Sequence, residues 1–204
     1  MNDVPLMVTF LGKRFHPLRP DPNIIDPLDI AHSLSQQCRF GGHCRWPYSV
    51  AQHTVLGLQC LESGDPARPW FHMHDGPEAY VQDLVRPIKD LPELEPFRDG
   101  EHGWQKAFEQ RFDLPSGCLE SPAVHQVDML MAALEVKTLM SLPPQEVWPG
   151  LPDPPSDVVI TPWTSIEAEW RWLVWFTRLF PHERIRWPKS EGMMQRAVEE
   201  ACRP

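Results

Sequence analysis

The 204-residue sequence predicts an all-α fold, a helical bundle joined by proline-rich connecting loops. Apolar residues recur at helical spacing in several segments, and no alternating apolar–polar run is long enough to argue for a sheet. The 24 prolines gather between those segments, which places loops there. A chain of this length reads as one domain over residues 1–204 with its core at about 29–180, since single cores commonly serve such lengths.

Residues 1–29, with "FHPLRPDPNIIDPLD", are expected to lack long regular structure. The amphipathic "DIAHSLSQQCRF" follows, with Asp29 placed to cap it. "GGHCRWP" is a donor-rich turn, and "YSVAQHTVLGLQCLES" a helix capped by Ser49, with Val50, His53, Leu56, Gly57 and Cys60 in helical register. "GDPARP" stops it. The next stretch, "FHMHDGPEAYVQDLVRPIK", sets ligands on a helix that Gly76 and Pro77 interrupt. This predicts a kink around Met73 to Gly76 or a helix starting at Pro77.

"DLPELEPFRDG" reads as loop and "EHGWQKAFEQRF" as a short helix. "AVHQVDMLMAALEVKTLM" is the clearest buried helix, with Val124, Val127, Leu130, Met131, Leu134 and Thr138 in register and Asp128 beside the stripe. Ser141 to Pro162 is an ordered flap or surface wrap. Trp163 opens the last strong helix, "WTSIEAEWRWLVWFTRLFP", with Thr164 or Ser165 as cap and Glu167 set for a capping box. Its tryptophans and leucines serve core packing or an oligomer interface. A charged helical or frayed tail closes the chain.

There are 19 Lys and Arg against 28 Asp and Glu, a formal charge of −9. That field disfavours nucleic-acid polymers and anionic membranes, but not a small anion met by local donors and a metal. The 5 cysteines, Cys38, Cys44, Cys60, Cys118 and Cys202, form no C-x-x-C pair and read as reduced thiols. The start "MNDVPLMVTFLGKRF" has no signal-peptide pattern, and no apolar run approaches the roughly 18 residues of a spanning helix. A cytoplasmic protein is expected.

His53, the pair His74 and Asp75, and Asp128 each lie in a largely apolar setting. A lone histidine there is ordinarily a satisfied core residue, whereas a buried aspartate needs partners or a proton. One metal ion would supply a partner for all of them, because imidazole and carboxylate together suit a divalent ion. Glu78 lies three and four residues from Asp75 and His74, so a helix would bring them to one face.

The blocks "YSVAQH", "HMHD" and "VHQVDML", with "EAYVQD" after the His-Asp pair and "QCRF" before His53, resemble the HD-domain phosphohydrolase superfamily. Within it they resemble the bacterial 5'-deoxynucleotidases, the phage dATP triphosphohydrolases and small prophage-type hydrolases, over roughly Asp29 to Met140. The resemblance implies an HD-domain helical bundle. It makes His53, His74, Asp75 and Asp128 ligands of one divalent ion per chain: Co, Mn, Zn, Ni, Fe or Mg. Glu78 corresponds to the carboxylate near the metal's water and Asp83 to a residue assisting proton transfer. Arg39 matches a phosphate-contacting arginine, Phe40 stands where the deoxynucleotidases carry a tryptophan near the sugar, and Lys89 matches a lysine that helps with phosphate charge.

His43, Arg45 and Trp46, in the turn itself, are further candidates for substrate contact; Tyr48 and Trp148 are candidate pocket walls. The implied function is hydrolysis of nucleotides by water activated at the metal, a 5'-deoxynucleotidase acting on dNMPs being favoured. Release of triphosphate from a deoxynucleoside triphosphate is the main rival. An HD-type cyclic-nucleotide phosphodiesterase would need histidines for a second metal, for which only His43 and His72 are near. A non-enzymatic helical assembly protein would bind no metal. The expected partners are a small nucleotide substrate and further copies of the chain, as a homodimer or higher homo-oligomer.

Overall fold

The computed structural model describes residues 6–203; Met1 to Pro5, which begin the stretch read for a leader, and Pro204 lie outside the described residues. The architecture is predominantly helical, as expected. The proline-rich start carries a small antiparallel hairpin, β1 (Met7–Val8) and β2 (Arg14–Phe15), paired Met7 to Phe15 and Val8 to Arg14. A 3-10 turn, Pro22–Ile24, leads to α1 (Pro27–Gln36). Asp26, not Asp29, caps α1, its side chain accepting from the Leu28 N–H. Pro27 sets the first helical position, so the cap falls one residue before it. Asp29 is instead buried, where its Oδ1 accepts from the Leu11 N–H at 2.7 Å and ties the hairpin to α1.

Ser49 caps α2 (Val50–Gly57) through the Gln52 N–H, as the sequence indicates, and all of α2 is buried. A 3-10 turn, Leu58–Cys60, precedes α3 (Ala67–Met73). Between α3 and α4 (Glu78–Val81) the chain tightens: Gly76 N–H bonds Met73 O at 2.9 Å, Glu78 N–H bonds Asp75 O at 3.0 Å, and Ala79 N–H bonds Gly76 O at 3.1 Å. These three-residue bonds carry the chain past Pro77, which has no N–H to give. Both sequence alternatives are therefore partly realised: α3 ends at Met73 and Pro77 is the cap of α4.

After α5 (Arg86–Lys89), α6 runs Glu95–Arg111, longer than the short helix expected. Pro96 falls in its first turn, where a missing N–H costs nothing, so "EPFRDG" is helix rather than loop. α7 (Pro122–Leu139) is capped by Ser121; Val124, Val127, Met131 and Leu134 are buried as expected, whereas Leu130 is half-buried. The flap contains α8 (Pro144–Val147). Thr164 caps α9 (Ser165–Leu179), so Trp163 precedes the helix rather than opening it. α10 (Gly192–Ala201) folds back onto α9.

α9 packs on α1, α2, α3 and α10, and Trp172, Leu173 and Phe176 are fully buried. The apolar face of this helix is core, each such side chain contributing about 1.5–3 kcal/mol. A second cluster joins Leu56 of α2 and Met131, Leu134 and Leu139 of α7 to Val158 and Ile160, which pins the flap. A third joins Phe71 of α3 to Val124 and Val127 of α7. These contacts bring α2, the end of α3 and α7 together. No helix among the described residues is long and apolar enough to cross a membrane.

Candidate metal centre

His53 projects from α2 at zero exposure, while His74 and Asp75 occupy the tightened turn after α3. One ligand atom from each of His53, His74 and Asp75 lies within 4.8 Å of the others. Asp75 is central: Oδ1 is 3.1 Å from His74 Nε2, and Oδ2 is 3.7 Å from His53 Nε2. Asp128 approaches from α7, its Oδ1 3.4 Å from His53 Nε2, with its side chain one-third exposed. It forms the rim of the cluster rather than its centre.

The outer nitrogens fix both rings. His74 Nδ1 lies 2.6 Å from Phe71 O, and His53 Nδ1 lies 2.6 Å from Glu135 Oε1. Nδ1–H donation leaves Nε2 as the lone-pair nitrogen on each ring. Both Nε2 atoms are buried without a hydrogen-bond partner among the described residues. Such orphans are costly unless a cation takes them up, and a pair of imidazoles with carboxylates is an apt donor set for one divalent ion. The residues fit a metal.

Gly76 keeps the ligand turn close to α6. A Cβ there would overlap the Phe108 ring and come within 2.9 Å of Met73 O. The glycine between His74-Asp75 and Pro77 thus reflects close packing.

Burial works against the Asp75 carboxylate, but His74, His53 and Arg39 more than offset it and hold Asp75 below the usual range. Glu78, buried on α4, is pushed well above it by burial and then by Asp75 and Asp83. Asp83 is also raised, by burial and Asp75 against the pull of Arg39. One carboxylate is thus held ionised beside two that keep a proton more readily, a division suited to ligation and proton transfer.

Arg39 sits in a short turn where Phe40 and Gly41 adopt left-handed backbone, φ 58° and 60°. Its Nη1 is 3.4 Å from Asp75 Oδ2, its Nη2 is 3.9 Å from Asp128 Oδ1, and Nη2 is 3.3 Å from Glu135 Oε2. Burial opposes its charge, but Glu135, Asp75 and Asp128 outweigh that and hold the guanidinium firmly protonated. The Phe40 ring stacks on Trp148 of the flap at 5.9 Å between centroids.

The other candidates are placed differently. Lys89 bonds Glu101 at 2.6 Å, although its charge also acts on Glu78 and Asp75. Arg45 is exposed and lines a 460 Å³ cavity with Lys137 and the flap, a cavity that holds none of the four ligand candidates. Trp46 packs against the Tyr48–Leu56–Met131 cluster. His43 is exposed. Tyr48 is fully buried and donates to Glu135 at 2.9 Å. His72 points away from His74 into the core, 4.3 Å from the Trp172 ring, and burial, then His74 and Arg68, lower its pKa to about 3.

Two residues of this neighbourhood escape the sequence reading. Glu135 is fully buried and bonded to His53, Tyr48 and Arg39. Its signal was available: seven residues beyond Asp128, it lies about 20° from the same line of α7 at roughly 100° per residue. Gln37 donates to Glu78 O at 3.0 Å and accepts from the Asp83 N–H at 2.8 Å, bracketing α4. No local pattern marks a residue that acts 41 and 46 positions away.

No family model matches the chain. It is 37% identical over 145 residues to the uncharacterized protein YfdR of Escherichia coli, covering 70% of this chain and 76% of that protein. It is 29% identical over 155 residues to an uncharacterized protein of Rhodobacter capsulatus, covering 70% and 78% respectively. The E. coli match joins the two proteins at substantial identity over most of both lengths, and the chain belongs to the family of YfdR.

Proposed function

We propose that this protein is a metal-dependent phosphohydrolase of the HD-domain type acting on nucleotides, with 5'-deoxynucleoside monophosphates as the favoured substrates. The observation that carries the reading is the half-buried Arg39 guanidinium set against a cluster of metal-ligand type, 3.4 Å from Asp75 and 3.9 Å from Asp128. His53, His74 and Asp75, with Asp128 at the rim, would hold one divalent ion. When bound, that ion supplies Lewis-acid activation of water and neutralises phosphoryl charge.

Arg39 binds the phosphate oxygens as a two-pronged donor. Glu78, as the carboxylate, orients the attacking water and takes up its proton; the burial that raises its pKa makes it a stronger base for that step. Asp83 passes a proton to the leaving sugar oxygen; its raised pKa suits that donation. Phe40 and Trp148 form an aromatic wall beside Arg39 for the nucleoside.

A triphosphate would need cations beyond Arg39. Lys89 is engaged by Glu101, and Arg45 lines a separate cavity, so their placement supports the monophosphate. The burial of His72 in the aromatic core gives no support to a second metal of the phosphodiesterase kind. The test is a panel of dNMPs, dNTPs and NMPs incubated with protein loaded with Mn, Co, Mg or Zn, the products being resolved. Phosphate release from dNMPs is expected, and hydrolysis of none would overturn the reading. Metal analysis of untagged protein is expected to give about one ion per chain, lost in His74→Ala; this separates the hydrolase from a structural assembly protein.

A further inference from the structure

We propose that Glu135 is a positioning residue that fixes His53 as an Nε2 ligand and, through the same carboxylate, sets Arg39 beside it. This rests on the metal-site reading above and names the group that gives the site its geometry.

The two oxygens of Glu135 divide the task. Oε1 lies 2.6 Å from His53 Nδ1 and accepts from Tyr48 Oη at 2.9 Å, while Oε2 is 3.3 Å from Arg39 Nε and Nη2. Glu135 and His53 are both fully buried, so water cannot take the place of either partner. The other nitrogen of His53, Nε2, faces Asp128 Oδ1 at 3.4 Å and Asp75 Oδ2 at 3.7 Å and has no hydrogen-bond partner among the described residues. A carboxylate on Nδ1 holds the proton there, which leaves the lone pair on Nε2 and makes it a stronger donor to a cation. The arginine and the imidazole are thereby held in one frame by one residue of α7.

A merely structural Glu135 would also be bonded to Tyr48 and Arg39, so stability alone does not decide the matter. In Glu135→Gln the amide oxygen still accepts from His53 Nδ1–H, but the charge is gone. Loss of such a partner typically weakens metal binding about 10–100-fold. Co(II) affinity is measured by competition with a chelator on full-length protein, and unfolding of the metal-free proteins is followed separately. The expected result is at least a tenfold loss of Co(II) affinity in a folded Glu135→Gln protein, partly recovered in Glu135→Asp, with an altered Co(II) absorption spectrum.

The same claim is tested without substitution by nitrogen-detected NMR of the His53 ring in Zn(II)-loaded parent protein. A proton on Nδ1 and the metal on Nε2 are expected; the reverse arrangement overturns the proposal, even where the variants fail to fold. Parent protein that binds Co(II) and Glu135→Gln that binds it equally tightly would overturn the role of Glu135 alone. Parent protein that binds neither Co(II) nor Zn(II) would overturn this proposal and the metal-site reading together.

Discussion

Gly76→Ala adds one methyl group to the turn that carries His74 and Asp75. The backbone itself accepts alanine, because Gly76 is not among the residues with positive φ. On propensity alone the change would stabilise a helix-like turn by up to about 1 kcal/mol. Packing acts the other way. The new Cβ would overlap the Phe108 ring, lie 2.8 Å from its Cδ1 and reach within 2.9 Å of Met73 O. Phe108 is fully buried, with the Tyr80 and Phe112 rings each 5.9 Å away, so it has little room to yield. Overpacking costs about 1–3 kcal/mol, and an overlap this close belongs to the upper part of that range, about 2–3 kcal/mol, which leaves a net loss of about 1–2 kcal/mol. For a chain of this size that lowers Tm by about 2–8 °C. Thermal and urea unfolding of metal-free protein provide the assay, with Gly192→Ala as control. Nothing lies within 4 Å of a Cβ at Gly192, and its change is expected to stay within about 0.5 kcal/mol. Because the turn must shift away from α6, Co(II) affinity is expected to fall as well. A Gly76→Ala protein as stable as its parent, binding Co(II) equally well, would show that packing on Phe108 does not set the ligand turn.

Pro77→Ala restores an N–H that competes with Gly76 for Met73 O; severalfold weaker Co(II) binding is expected, and unchanged affinity and turnover would show the break to be incidental. Gln37→Leu removes the bonds to Glu78 O and Asp83 N–H, so turnover should drop while metal content, measured by elemental analysis, stays at the parent's level. Burial raises the pKa of Asp29 against the pull of Leu11 N–H, Thr9 and Lys13. A carboxyl raised on folding contributes stability that is fully present below its unfolded pKa and is lost as pH rises through its folded value. The parent should therefore gain stability over Asp29→Asn as the pH falls from 7 towards the unfolded value of 3.8, and parallel unfolding curves would refute this. Metal removal should abolish binding of inorganic phosphate in calorimetry; equal binding with and without the ion would contradict the proposed site.

The sequence exposes what local pattern can encode. Ser49 and Thr164 read correctly as caps because an N-cap needs only its own side chain and an N–H two or three residues on. The start of α6 is misread because Pro96 and Gly100 look like breakers, while Gly103 lies in the part read as helix. The proline falls in the first turn, and the glycines admit Leu18 and Pro20 of the amino-terminal segment, contacts that local composition cannot reveal. The cluster of His53, His74 and Asp75 was legible through residue type and apolar setting. Glu135 hid in the same helix as Asp128 because a glutamate in "AALEVKTL" looks like a solvated position until Arg39, Tyr48 and His53 converge on it.

On the proposed reading, charge balance explains why this centre would need a cation before it could serve an anion. Glu135 is matched by His53, Tyr48 and Arg39, and Lys89 is matched by Glu101. What faces an incoming phosphate is then Asp75 and Asp128 with Arg39, whose one positive charge is already shared with Glu135. Each unit of like charge about 4 Å away repels by about 4 kcal/mol at an effective dielectric of 20. Arg39 alone cannot offset both carboxylates for a dianion, whereas a divalent ion held by His53, His74 and Asp75 would cancel the negative charge that remains. The formal charge of −9 is therefore no obstacle to a phosphate-bearing substrate. On the proposed reading it works as a filter, since an anion is admitted only where Arg39 and the ion act together, and that place is where Glu78 and Asp83, both with raised pKa, are set for proton transfer.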